Sequence, residues 1–299
     1  MDITILTPTY NRGENLKKLY FSLINQSNHN FIWMIIDDGS KDKTQEIVRN
    51  FIKDNIIKIE YFIKENGGKH TALNVGISKI DTELIFIVDS DDWLEENAIE
   101  KIYKYHSKYK LKKEICGYSF LRKYSNGIIN GKILDKNEII DDYINIRING
   151  NDTNSDKAEV WKTQYLRNYH FPVFKGEKFL GEDVIWVQLA IEFKMVFLNE
   201  IIYISDYLED GLTKNRRVNN LKSPKGCCYR SKLIIDISKT KNINVVFLIK
   251  NIIQYIVYGK FSKSSFKALY NECSKKISFL FLYPISIMIY NKWKREYII

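Results

Sequence analysis

The sequence is poor in residues that build covalent or metal cross-links. Its four cysteines, Cys116, Cys227, Cys228 and Cys273, show no metal-ligand spacing, and two of them are adjacent. A disulfide framework is excluded, and a reducing compartment is implied. Long hydrophobic runs are also missing. The most apolar stretch, residues 277–290, is 14 residues long and contains Pro284, whereas a membrane-spanning helix takes about 20. The chain enters a strand pattern directly after Met1-Asp2, so no secretory leader is expected. There are no internal repeats and no low-complexity tract. Residues 1–20 offer only Arg12 and Gly13 towards a glycine- and base-rich phosphate loop, which weighs against a nucleotidyltransferase.

What remains is a chain of 299 residues, 45% hydrophobic and 14% aromatic, enough for one large or two modest domains with a substantial core. The net charge of +10 is unevenly spread. Residues 214–299 hold 18 Lys+Arg against 3 Asp+Glu, so the first 213 residues are net acidic. A basic tail of this kind points to an anionic partner, either phospholipid headgroups or nucleic acid.

The first 90 residues alternate strand and helix patterns. Strands are expected over residues 3–9, 31–36 and 57–62, followed by an apolar run from Leu84 to Val88. Helical spacing is found over 14–26, 42–53 and 71–80. This βαβ rhythm predicts an α/β fold with a doubly wound, mostly parallel sheet. The polar groups follow the strands, in Tyr10-Asn11-Arg12, Asp37-Asp38-Gly39-Ser40, the glycine-containing loop 64–69 and Asp89-Ser90-Asp91-Asp92. Thr9, Asp38, Gly67 and Asp91 are therefore expected to be neighbours at the carboxyl ends of the strands, where open α/β sheets bind ligands. Three carboxylates within four positions repel one another unless something positive neutralises them. A hard divalent ion carrying a substrate diphosphate would do so. A solvated acidic turn capping the helix that starts near Glu95 is the plainer alternative.

Further on, the pattern predicts a helix over 95–110, two strands and a turn at Ser125-Asn126-Gly127 within 114–150, a helical segment over 158–168, a helix from Val184 to Phe193 and a strand from Val196 to Ile204. Glu182 and Asp183 fall at a helix N-terminus, where the helix dipole by itself favours acids. From residue 219 the chain reads as helical and basic. Lys275-Lys276 and Lys292-Trp293-Lys294-Arg295 flank the apolar stretch 277–290. That arrangement suits a helix lying in a membrane interface, with packing onto the catalytic domain as the alternative.

Pro8-Thr9-Tyr10-Asn11-Arg12, Asp37-Asp38-Gly39-Ser40-Lys41-Asp42, Asn66-Gly67-Gly68 with Ala72-Leu73-Asn74-Val75-Gly76, and Asp89-Ser90-Asp91-Asp92 occur in this order. In this the chain resembles the family-2 glycosyltransferases of GT-A fold. The match is specific over residues 1–95, fair over 158–213 and absent beyond about 220. The resemblance implies a GT-A catalytic domain over 1–215, with a nucleotide-binding half (1–95) and an acceptor half (96–215), followed by a helical basic region over 216–299. It implies transfer of a hexosyl or N-acetylhexosaminyl group from a nucleotide-sugar donor, usually a UDP-sugar, with inversion. Pro8, Thr9, Tyr10, Asn11, Arg12, Asp38, Gly67, Lys69, Asn74, Asp89 and Ser90 would bind the donor. Asp91 would hold Mn²⁺ or Mg²⁺, and Asp183, next to Glu182, would be the general base.

Two departures stand out. Leu73 occupies the place of an Arg that in many relatives reaches the nucleotide base, which leaves Lys69 or His70 as substitutes. No His follows His170, so the late metal ligand falls to Asp206 or Asp210. The middle of the chain, with Trp161, Tyr165, Phe174 and Glu177, would meet the acceptor. That acceptor is expected to be a lipid-linked or growing surface glycan such as a capsule, worked on at the cytoplasmic face of a bacterial plasma membrane. A non-catalytic protein using the basic tail on nucleic acid or another anionic surface is the alternative from a different class; no nucleic-acid motif supports it.

Overall fold

The computed structural model describes residues 2–153, 155–206 and 216–297. The strands are β1 (Ile3–Thr9), β2 (Phe31–Asp37), β3 (Lys58–Ile63), β4 (Leu84–Ile87), β5 (Trp93–Leu94), β6 (Ile115–Lys123), β7 (Ile129–Asn130), β8 (Glu138–Asp141), β9 (Lys157–Lys162) and β10 (Lys194–Ile204). The helices are α1 (Gly13–Ile24), α2 (Thr44–Asp54), α3 (Lys69–Lys79), α4 (Ala98–Tyr109), α5 (Thr163–Leu166), α6 (Asp183–Glu192), α7 (Arg216–Lys222), α8 (Pro224–Ile237), α9 (Val245–Phe261), α10 (Phe266–Glu272) and α11 (Lys276–Tyr297). A π-helical turn occupies Ile144–Asn149.

One sheet runs β3-β2-β1-β4-β9-β6-β10-β5, with β7 on β6 and β8 on β10. β1 to β4 pair in parallel. β9 is antiparallel to both β4 and β6, while β10 is parallel to β6. β1 and β4 are buried along their whole length, as strands covered on both faces must be. One face is covered by α1, α2 and α4. Leu16, Leu19, Tyr20 and Leu23 of α1 recur at helical spacing and meet Val48 and Phe51 of α2 over Ile3, Ile5 and Trp33. The other face carries α3, α6 and α8, with Leu73, Ile77, Val184, Leu189, Ile234 and Ile237 in one core. The expected α/β, doubly wound, mostly parallel sheet is what the chain forms.

Two expectations need correction. Residues 158–168 are not one helix, since Lys157–Lys162 is the antiparallel strand β9 and only Thr163–Leu166 is helical. Short apolar segments carry both periods, and the slot between β4 and β6 decides for the strand. Trp161 is fully buried there and stacks on Trp186 with ring centroids 4.2 Å apart. Pro284, in turn, does not interrupt the last helix, because α11 runs through it for 22 residues. A proline in a helix interior costs one backbone bond and some local distortion, and here the aromatic packing of Phe279, Tyr283 and Tyr290 outweighs that cost.

The helical region after residue 216 is no loose tail. α8 shares the second sheet-face core, while α9, α10 and α11 build a smaller core from Ile252, Tyr255, Ile256, Leu269 and Phe279. Among the described residues no helix is long and apolar enough to cross a membrane.

Because Trp161 closes the core between the sheet and α6, Trp161→Ala should lower unfolding stability by about 3–5 kcal/mol, measured by urea titration. Near-native stability in that variant would mean that Trp161 is not a core residue.

Candidate active site

The parallel register brings the carboxyl ends of β1, β2 and β4 together. A cleft of about 450 Å³ opens over them. Pro8, Thr9, Tyr10, Arg12, Asp38, Lys69, Asp89 and Ser90 line it, as do Asp91 and Glu182. Asn11, Gly67, Asn74 and Asp183 are not in its lining, and Asp210 lies outside the described residues.

One end of the cleft is organised by Asp38. Its carboxylate, 4% exposed, accepts from the backbone N–H of Gly67 at 2.9 Å and of Gly68 at 2.7 Å, and pairs with Lys64 Nζ at 2.5 Å. The loop after β3 is thus wrapped around a residue that follows β2. Gly68 has φ 94°, and a Cβ there would lie 2.0 Å from the Lys178 carbonyl oxygen, so residues 176–180 can cross at this point only over glycine. Asn11, with φ 51°, accepts from Lys41 N–H at 2.7 Å. Asn11 and Gly67 therefore build the wall from behind. Asn74 points elsewhere, exchanging two 2.9 Å hydrogen bonds with the backbone of Phe171; its helix position turns it away from the cleft. Leu73 is fully buried in the core, and His70 is buried with Nδ1 unpartnered. Burial lowers the proton affinity of His70. The cation beside Asp38 is Lys64, not Lys69 or His70. Thr9 Oγ1 is likewise buried without a hydrogen-bond partner.

The other end holds the acids of β4. Lys69 pairs with Asp89 and, at 2.5 Å, with Glu182. Arg12 Nη1 contacts Asp91 Oδ2 at 2.6 Å. Asp92 accepts from Tyr203 Oη at 2.8 Å and lies 3.7 Å from Arg122, whose guanidinium covers the Tyr203 ring. Burial works against charge on all three aspartates. Lys69 and Arg122 bring Asp89 below the usual range all the same. Asp91 is raised by burial and by Asp89. Asp92, raised by burial and then by Asp89, is pushed up to about 8. Burial, and then the charge on Asp89, thus outweighs the neighbouring cations at Asp91 and Asp92.

The donor chemistry fits a hard divalent cation. Among the described residues no three His, Cys, Asp or Glu side chains close round a metal, but an ion of the Mg²⁺ class takes one or two carboxylates and completes its shell with phosphate and water oxygens. Asp89 and Asp91 supply such carboxylates on the cleft wall. Asp206, one of the two residues expected as the late ligand, also lines the cleft.

Glu182 and Asp183 begin α6 but face different ways. Glu182 looks into the cleft towards Lys69. Asp183, a quarter exposed, is gripped by Arg230 of α8, whose Nε lies 2.9 and 2.8 Å from its two oxygens. Arg230, Arg122 and Lys64 escaped the sequence reading because each is a lone cation outside any motif. None of the four side chains expected at the acceptor lines the cleft. Trp161 is core, Tyr165 donates to the Lys113 carbonyl, Phe174 packs on Tyr229, and Glu177 caps α8.

Residues 4–126 match the family model described as Glycosyl transferase family 2. Glycosyltransferase GlyA of Streptococcus pneumoniae serotype 4 is 29% identical over 209 residues, 67% of this chain and 30% of its own length. The chain spans less than half the length of the first curated relatives it matches. GalNAc(5)-diNAcBac-PP-undecaprenol beta-1,3-glucosyltransferase of Campylobacter jejuni subsp. jejuni serotype O:2 is 26% identical over 303 residues, covering 96% of this chain and 92% of that protein. The crystal structure of S. aureus TarS 1-349 in complex with UDP-GlcNAc superposes with a TM-score of 0.59 at 16% identity, over 99% of this chain and 91% of that one. At that identity the likeness is one of fold.

The raised Asp92 makes a stability prediction. A carboxyl whose folded pKa lies above its unfolded value stabilises the protein below the unfolded pKa, and that contribution is lost as pH rises through the folded one. For Asp92 the window runs from the ordinary 3.8 to about 8. Asp92→Asn should therefore gain melting temperature over the native chain as pH goes from about 6 to about 9, by about 2–4 °C per kcal/mol of relief. A gap that stays constant with pH in thermal scans would contradict the assignment.

Proposed function

We propose, from the premise that this chain belongs to the family-2 glycosyltransferases, that it moves a hexosyl or N-acetylhexosaminyl group from a UDP-sugar to a hydroxyl of a lipid-linked or growing surface glycan, with inversion. One observation carries the reading. Asp38, the Asp89-Asp91 acids and Glu182, from two separate strand ends and a helix start, meet in one cleft over the parallel sheet.

The nucleoside lies at the Asp38 end, against Tyr10 and the unpartnered Thr9 Oγ1. The diphosphate lies at the β4 end. Arg12 and Lys69, now held by Asp91 and Asp89, are placed to meet its oxygens. Asp91 would hold Mn²⁺ or Mg²⁺, with Asp206 as the late ligand; when bound, the ion neutralises charge developing on the leaving diphosphate. Asp183 takes the proton of the acceptor hydroxyl as that oxygen attacks the anomeric carbon and the bond to the diphosphate breaks. The pyrophosphate-undecaprenol substrate in the name of the Campylobacter relative supports a lipid-linked acceptor.

The reading places the enzyme at the inner face of the plasma membrane. Ile277, Phe281, Ile285 and Met288 of α11 are exposed at positions i, i+4, i+8 and i+11, one side of the helix, with Leu280 beside them. Lys275-Lys276 and Lys292-Trp293-Lys294-Arg295 flank this stripe. Apolar side chains between basic clusters are what an interfacial helix on anionic lipid requires.

The test of the activity is release of UDP from a panel of UDP-glucose, UDP-galactose, UDP-GlcNAc and UDP-GalNAc, with Mn²⁺ and an octyl glycoside as acceptor. At least one donor should turn over, and Asp183→Asn should cut that rate by about 10²–10⁴-fold while donor affinity is kept. No turnover of any donor, or full activity without Asp183, would overturn the reading. In sedimentation with vesicles, the protein should follow phosphatidylglycerol and not phosphatidylcholine, and Phe281→Asp with Met288→Asp should release it. Equal recovery of both forms would contradict the membrane face.

A further inference from the structure

The segment before the proposed base is stitched to the first turns of α8. Glu177 accepts from the backbone N–H of Lys225 at 2.9 Å and of Gly226 at 2.8 Å, so its carboxylate caps the helix N-terminus. Phe179 N–H donates to Ser223 Oγ at 3.1 Å. Gly226 allows the close approach, since a Cβ there would stand 3.1 Å from the Phe179 carbonyl oxygen. About one turn further along α8, Arg230 reaches back. Its Nε and Nη2 hold both oxygens of Asp183, and its Nη1 lies 3.4 Å from Asn251 Oδ1 on α9. Asn251 is itself buried and anchored to the Phe247 carbonyl. The guanidinium is thus fixed from behind and forked onto the carboxylate in front. A Cβ on Gly181 would lie 2.7 Å from Asp183 Oδ1, so glycine at 181 leaves the space that the carboxylate occupies.

We infer that Arg230 is a positioning residue for the transfer reaction. It holds Asp183 in the rotamer in which the carboxylate can accept the acceptor's proton, and through it α8 and α9 become part of the active site. The inference rests on the proposal that Asp183 is the base. The fork leaves a lone pair on Oδ1 open, and a bidentate guanidinium fixes the plane of the carboxylate, which a single ammonium cannot do. The basic region after residue 216 therefore has a task besides any contact with lipid.

The test uses the full chain with Arg230→Gln, Arg230→Lys and Asp183→Asn, reading turnover in the UDP-release assay, UDP affinity by calorimetry in the presence of Mn²⁺, and melting temperature. Arg230→Gln should lose about 10–100-fold in kcat, the usual effect of removing an orienting partner. UDP affinity should stay within about twofold, and Arg230→Lys should recover part of the rate. The lysine variant keeps the charge and loses the fork, so it decides the matter if the glutamine variant does not fold. Native kcat in both Arg230 variants beside an inactive Asp183→Asn would overturn the inference and leave the base in place. Parallel loss of UDP affinity would make Arg230 a donor contact and overturn it as well. Native turnover in Asp183→Asn would instead remove the base reading on which it rests.

Discussion

Asp89, Asp91 and Asp92 stand within four positions at the end of a buried strand, and their mutual repulsion sets the terms for the rest of the cleft. In water such a cluster would merely be acidic. Against the sheet it needs cations, and the fold brings them from distant parts of the chain. Lys69 comes from the start of α3, Arg12 from the start of α1 and Arg122 from the end of β6. Even so, burial and then the charge on Asp89 push Asp92 up to about 8. A site of this kind is ready for a ligand that brings positive charge with it, such as a divalent ion on a diphosphate. The two carboxylate–cation pairs at Asp89 and Asp91 are then the contacts that such a ligand would rearrange.

The same crowding explains the glycines and the left-handed residues near the cleft. Loops after β1, β2 and β3 must turn sharply to deliver Arg12, Asp38 and Lys69 to one place. Asn11 and Gly68 take positive φ to do so, and Asp38 ties the turns together by accepting from the backbone of the β3–α3 loop. Residues 176–183 close the far side, wedged between Gly68 and Gly226. The cleft is therefore built by backbone contacts between segments remote in sequence, and α8 is among the parts that hold its wall in place.

Much of this was legible beforehand. The alternation of apolar runs and helical spacing gave the order of the first four strands and their helices, and the polar groups after each strand gave the cleft. Residues that follow directly from a strand end, such as Thr9, Asp38, Asp89 and Asp91, line the cleft for that reason. Asn74 does not line it, because a helix position beyond the first turn can face either way and its partner is the backbone of Phe171, 97 residues later. The spacing around Trp161 fits a helix as well as a strand, because six residues carry either period, and only the neighbours β4 and β6 choose. Arg230 left no trace, since it lies 47 residues from Asp183 in a region without a motif. Pairings of that kind are set by tertiary packing and become visible only when the chain is folded.

The central claim is that the acidic end of β4 receives the donor's diphosphate together with a metal ion. Calorimetric titration of UDP into the protein tests it most directly, first with Mn²⁺, then with EDTA, and beside an Asp91→Asn variant. The account predicts binding with Mn²⁺ that is lost on chelation and in the variant. Binding of equal strength in EDTA and in Asp91→Asn, or no binding of UDP under any of these conditions, would contradict it.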